Sequence, residues 1–431
     1  MSIYKKSFFF LITFIILFLL VEIFAFSLFK IYNYDKKFNL YSEKRISSLK
    51  YNYYKNIQLA LPSPNIDVVH YTSEFTDRFK TKDVLNLGFG LFDDGIDLNK
   101  KYYAVALGDS FTRGTGSGDN IKNGWVELVE KETRSWDILN LGNLGRSITD
   151  QKYGYDLLKD KIKHEIIIYN FFTGADYYEN TSDNSSAYYL NKKITEKKMN
   201  LNEIKKEIDN LQIYHGYDPS FEYLLESKYK SYGVWLLIKI SIYSNMTKIL
   251  PEKYLPEIYN KPHRSFNDYY ETRMNLVPDE IYELGKKVNK SSKSYKIDNK
   301  TFHVKLIYKD KEIAKKIVNN SIKQIKDFIN QSKNENKKFI LIIHPSQNDT
   351  YESVLKEKIE TNVSFMREEL IEGLKRDVLV LDLTNYLKKY ITRNTRAKLY
   401  WDRDGHYTPL GYEVVSKIIT NFLNANFKNK N

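Results

Sequence analysis

Five short apolar runs, at 102–107, 136–141, 165–172, 339–344 and 378–383, alternate with stretches of helical periodicity at 124–133, 150–161, 310–332, 353–375 and 411–423. Strands that are apolar on consecutive positions bury both faces, and strands separated by helices return in parallel. The chain is therefore expected to be α/β, with a mainly parallel five-stranded sheet between helical layers. The alternation stops after Asp176 and resumes near residue 310. The intervening part, about 180–305, is rich in Asn, Ser, Lys and Tyr and has helical spacing at 201–211 and 234–249, so it reads as a helical insertion.

Residues 7–29 are almost continuously apolar, broken only by Glu22, which is long enough to cross about 30 Å of hydrocarbon as a helix. Ala25-Phe26-Ser27 is a poor cleavage site, so an uncleaved single-pass anchor at 1–31 is expected rather than a signal peptide. Lysines flank the run on both sides (Lys5 and Lys6, then Lys30, Lys36 and Lys37) and leave its orientation open. A polar, aromatic-rich lead-in at 32–99 follows, broken at Pro62-Ser63-Pro64. The main domain then spans 100–428, interrupted by the insertion.

Composition excludes several classes. The chain has no cysteine, which removes disulfides, thiolate metal sites and a cysteine nucleophile together. Its 431 residues carry a net charge of +13, but the lysines are scattered among Asn, Ile and Tyr without a basic stripe, so no nucleic-acid partner is expected. His70, His164, His215, His263 and His303 lack metal-ligand spacing. The segment 114–118 is glycine-rich but lacks the lysine of a phosphate-binding loop, and reads as a flexible connection. No metal and no cofactor is expected.

Functional groups of parallel sheets gather beyond the carboxyl ends of strands, where Ser110, Gly145, Asp176 and His344 all fall. Gly108-Asp109-Ser110 follows the first run directly, and Asp404-Gly405-His406 lies far downstream. A serine hydroxyl is a poor nucleophile until a base takes its proton, and an imidazole with a carboxylate beside it supplies that base. By itself Gly-Asp-Ser describes only a turn that caps a helix. His344-Pro345-Ser346 reads as structural or substrate-contacting rather than as a second base.

The pattern becomes specific when four blocks are taken together. The run 106–112, with Gly114 and Gly116 following, resembles the first block of the GDSL/SGNH hydrolase family, and Asn140-Leu141-Gly142-Asn143-Leu144-Gly145 resembles the second. Thr173-Gly174-Ala175-Asp176 resembles the third, and Asp404-Gly405-His406-Tyr407-Thr408-Pro409 the last. The resemblance covers about 100–176 and 337–425. It implies a three-layer α/β/α sandwich of SGNH/flavodoxin-like type and serine ester chemistry. Ser110 would be the nucleophile, His406 the general base and acid, and Asp404 the orienting carboxylate, with Asp402 the alternative. The amides of Ser110 and Gly145 would face the oxyanion. The chain departs from the family in having Ala175 where an asparagine side chain is usual. Asn143, Asn170 and the adjacent Asp176 are the polar residues at hand. Implied substrates are acylated small molecules or glycans, with hydrolysis the first expectation. O-acyl transfer, or silent glycan binding on the same fold, are the alternatives. An extracytoplasmic catalytic domain, in the periplasm or at the cell surface, completes the expectation.

Overall fold

The computed structural model describes residues 3–31, 67–71, 74–85, 90–143, 145–181, 196–200, 202–203, 277–288, 292–297, 300–305, 310–402 and 404–427. In chain order the elements are α1 (Ile3–Ile31), β1 (Asp67–Tyr71), β2 (Thr76–Lys80), β3 (Tyr102–Leu107), α2 (Ser110–Arg113), α3 (Asn120–Asn123), α4 (Trp125–Thr133) and β4 (Trp136–Asn140). They continue with α5 (Ile148–Leu158), β5 (Ile166–Phe172), α6 (Asp176–Glu179), α7 (Asp279–Val288), β6 (Ser292–Ile297), β7 (Lys300–Lys305) and α8 (Lys311–Asn334). The last are β8 (Lys338–His344), α9 (Gln347–Tyr351), α10 (Val363–Leu374), β9 (Leu379–Asp382), α11 (Thr384–Arg393) and α12 (Pro409–Phe427).

β4-β3-β5-β8-β9 form one sheet, and every pairing in it is parallel. Alternate residues of each strand feed opposite cores. Val105, Leu107, Ile167, Tyr169, Leu341 and Ile343 pack with α5, α8 and α10. Ala104, Ala106, Ile138, Ile168, Ile342 and Leu381 pack with α4, α11 and α12. This is the three-layer sandwich, and burial of both faces explains why the strands are apolar at successive positions. The chain passes from β3 to β4 on one side and then returns to β5 on the other, so the order reverses at β3. Functional groups of such sheets gather at this reversal, beyond the carboxyl ends.

Three features differ from the sequence reading. Of the helix expected at 353–375 only the second part forms, as α10; residues 353–362 are not helical, and the short α9 ends ahead of them at Tyr351. The described part of the insertion holds one helix, α7, and an antiparallel hairpin, β6–β7. The helical stretches expected at 201–211 and 234–249 fall almost wholly outside the described residues. Within the lead-in, β1 and β2 form a second hairpin, and the chain after it packs on the main sheet. α1 includes Phe8–Ser27, 20 residues of mean hydropathy 2.9, long and apolar enough to cross a membrane.

Candidate active site

β3 ends at Leu107 and delivers Ser110 to the first position of α2. The carboxylate of Asp109 accepts the N–H of Phe111 at 2.9 Å, capping the short helix and fixing the turn that presents Ser110. Asp109 is itself buried, and burial pushes its carboxyl up to about 6.

The partner of Ser110 arrives from 296 residues away. Residues 399–408 double back on themselves: Thr408 N–H donates to Leu399 O at 2.9 Å and Trp401 N–H to His406 O at 2.9 Å. Gly405, at φ +82°, makes the reversal at the tip and turns Asp404 toward the ring two residues on. His406 Nδ1–H donates to Asp404 Oδ1 in a short contact. That fixes the tautomer, leaving Nε2 to accept the Ser110 hydroxyl at 2.7 Å. Asp402 faces elsewhere, with Lys398 Nζ 2.7 Å from its Oδ2. The His406 side chain is 18% exposed and that of Asp404 28%, so the three groups meet at a surface that solvent reaches.

Aromatic packing supports the imidazole. The Phe111 ring lies 5.0 Å from that of His406, between Phe172 at 4.0 Å and Tyr407 at 4.9 Å. The lead-in contributes from the other side. Glu74 Oε2 accepts the N–H of Asp404 at 2.7 Å, and Phe75 stacks on Trp401 at 5.2 Å. Asp77 accepts the N–H groups of Gly116 and Gly118 at 2.5 and 2.7 Å. The glycine-rich segment, expected as a flexible connection, is thus a set of inward-pointing amides clamped by a buried carboxylate of the same chain. None of these helpers is visible in the sequence, because Glu74 and Asp77 act on backbone N–H groups, and Phe75 on a ring, that only the fold brings near.

On the opposite rim, Leu141 and Asn143 continue the β4 edge by donating N–H bonds to Ala106 O and Gly108 O at 2.9 and 3.1 Å. Gly145 holds φ +58°, and a Cβ there would find only Glu179 Oε1 at 3.8 Å, so the space before it is open. Ala175 presents only a methyl. Asp176 is fully buried: its Oδ2 accepts the N–H of Phe172 at 2.8 Å, tying down the end of β5, and its Oδ1 has no partner. Burial, reinforced by the nearby Asp109 and Glu179 carboxylates, raises Asp176 well above the usual carboxylate range. Asn170 is turned inward, donating to Leu107 O at 2.8 Å and accepting His344 Nε2–H at 3.0 Å. His344 is fully buried and held neutral, its ring pushed down to about 3 by burial. The structure therefore unites Ser110, His406 and Asp404, and keeps Asp176, Asn170 and His344 beneath them.

No family model and no curated protein matches the sequence. Among solved structures the chain is similar to an acetyl xylan esterase, AlAXEase, at 10% identity and a TM-score of 0.34, covering 74% of this chain and 99% of that one. It is similar to a member of the lipolytic protein G-D-S-L family from Veillonella parvula at 10% identity and a TM-score of 0.33, covering 77% and 100%. A third is LAE5, an alpha/beta hydrolase from the metagenome of Lake Arreo, at 11% identity and a TM-score of 0.31, covering 77% and 97%.

Proposed function

We propose that this chain is a membrane-anchored, serine-dependent ester hydrolase acting on acylated small molecules or glycans. The observation that carries the reading is the continuous Ser110–His406–Asp404 hydrogen-bond chain, with 2.7 Å between Ser110 Oγ and His406 Nε2. Ser110 Oγ attacks the acyl carbonyl carbon while Nε2 takes its proton. The tetrahedral intermediate then expels the alkoxide, which leaves with the proton from His406. Water attacks the acyl-serine by the same route in reverse, releasing the acid and restoring Ser110. Asp404 holds the ring and stabilises the imidazolium formed in between. The negative oxygen is taken by the amides of Ser110 and Gly145, each well-aimed donor contributing about 3 kcal/mol. Ala175 leaves this hole without the third, side-chain donor expected from the family resemblance. The apolar α1 favours membrane attachment, and an extracytoplasmic catalytic domain follows if acylated envelope glycans are the substrates.

A fluorophosphonate probe tests the chemistry. It should label the full-length detergent-solubilised protein at Ser110, and Ser110→Ala should abolish both labelling and hydrolysis of p-nitrophenyl acetate. Activity that survives in Ser110→Ala rejects the mechanism. Protease treatment of intact cells tests the placement, since a protected catalytic domain would exclude it.

A further inference from the structure

β4 is an edge strand, and its outward amides are capped by carboxylates rather than by another strand. Glu130 Oε1 accepts Ile138 N–H at 2.6 Å, and Asp93 Oδ2 accepts Asn140 N–H at 2.8 Å. Asp97 N–H donates to Asp137 Oδ1 at 3.1 Å along the same edge. One oxygen each from Asp93, Asp94 and Glu127 lies within 4.8 Å of the others. Among the described residues no lysine or arginine forms an ion pair with any of the three. Lys131 is spent on the carbonyl of Lys122, and Lys82 reaches the carbonyl of Asp94 rather than its carboxylate. Capping explains Asp93 and Glu130. It does not explain Glu127, whose side chain is buried at 2% exposure and whose Oε1 has no hydrogen-bond partner.

We propose that Asp93, Asp94 and Glu127 form a binding site for a divalent, oxygen-seeking cation of calcium size. The ligand set is all oxygen, which selects hard cations. Oxygens across a calcium ion stand about 4.6–5.2 Å apart, because each Ca–O bond is about 2.3–2.6 Å. The three oxygens, all within 4.8 Å of one another, fit inside that distance and so can share one ion. Asp93 and Glu127 are buried and Asp94 is exposed, so the site opens to solvent at one corner. An ion enters there and keeps waters on that side. Bound, it removes the mutual repulsion of the three carboxylates and satisfies Glu127. It also braces Asp93 against Asn140, whose side chain donates to Thr112 O and accepts Gly142 N–H, both at 2.9 Å. The site thus stabilises the root of the loop that carries Gly145.

The test uses full-length protein in detergent, stripped with EDTA and titrated with CaCl2 or MgCl2 by calorimetry, with thermal unfolding in parallel. Saturable calcium binding that raises the unfolding midpoint by several degrees is expected, with magnesium at least tenfold weaker. Asp94→Asn should weaken calcium at least tenfold, and Glu127→Gln should abolish the midpoint shift while unfolding no earlier than the stripped parent. Absence of binding heat and of any midpoint shift at 10 mM CaCl2 would overturn the proposal. So would calcium affinity unchanged in both variants, which puts the ion elsewhere. These readouts do not depend on esterase activity, so they stand or fall apart from the reaction proposed for Ser110.

Discussion

A Cβ placed on Gly116 would stand 2.4 Å from the carbonyl oxygen of Tyr407, the residue after His406. Gly116 also sits at φ +92° and accepts the Trp401 indole N–H at 3.0 Å. The loop after the nucleophile and the loop bearing the imidazole are thus in backbone contact, and only a glycine permits it. Gly116→Ala should lose at least about 2 kcal/mol, combining left-handed strain with a backbone clash that cannot relax by a rotamer change. It should also lower kcat/KM tenfold or more, because the clash pushes on His406. Gly118→Ala is the control. It shares the strain at φ +85° but meets only Asn123 Nδ2 at 4.0 Å, so about 1 kcal/mol and near-normal activity are expected. Equal effects of the two changes, measured by unfolding and p-nitrophenyl acetate hydrolysis, would contradict this account.

Asp404 and Asp402 give a second comparison. Only Asp404 accepts His406 Nδ1–H, while Asp402 pairs with Lys398 at the surface. Asp404→Asn, which turns the ring to the wrong tautomer, should reduce kcat by roughly 10²–10⁴-fold at unchanged folding stability. Asp402→Asn should stay within about threefold, since an exposed ion pair is worth about 1 kcal/mol at most. A reversed ranking in steady-state kinetics would reassign the acid.

How much of this was legible before the structure follows from what each residue contacts. The sheet was, since 102–107 and 339–344 owe their form to burial on both faces, a property of the segment itself. The three groups that the structure brings together could also be picked out, because Ser110 follows a strand end and Asp404 and His406 lie in a recognisable block ahead of α12. The hairpin β1–β2 was not. Asp77, Glu74 and Trp401 act by holding backbone groups of segments remote in sequence, and nothing in their own neighbourhoods announces it. The late start of α10 is not legible, because 353–375 keeps helical spacing throughout while only 363–374 is helical.

Asn140 couples the short helix that carries Ser110 to the turn that leads to Gly145. It is 1% exposed, donating to Thr112 O and accepting from Gly142 N–H, both at 2.9 Å. Asn140→Ala strands a buried carbonyl and a buried amide, at about 1–3 kcal/mol each. The unfolding midpoint should fall accordingly, and kcat should fall with it because the Gly142–Gly145 turn loses its anchor. Asn140→Asp keeps the acceptor for Gly142 but faces Thr112 O with a carboxylate oxygen, and should be no more stable than the alanine variant. A full retention of stability in Asn140→Ala, read by calorimetry, would remove this residue from the account.

Asp349 carries a pH dependence whose sign can be worked out. Its side chain is buried, with hydrogen bonds from Ser346 and from Thr173 Oγ1, the latter at 3.3 Å, and burial pushes its carboxyl up to about 6, against the pull of Arg367 and Lys388. The folded value lies above that of the unfolded chain, about 3.9. Ionised Asp349 therefore opposes folding above pH 6, and stability returns as pH falls through 6 toward 4. His344 works in the opposite sense, since its folded value of about 3 makes acid destabilise the fold below pH 6.5. Comparing Asp349→Asn with the parent at each pH cancels the His344 contribution. At pH 8 the variant should be more stable by about 1–3 kcal/mol, because the uncharged amide replaces a carboxylate that must stay ionised in a buried site. The advantage should shrink through pH 6 and vanish near pH 4, where the parent is protonated in both states. A gap that is independent of pH between 4 and 8, measured by thermal unfolding, would show that the carboxylate is not the cause.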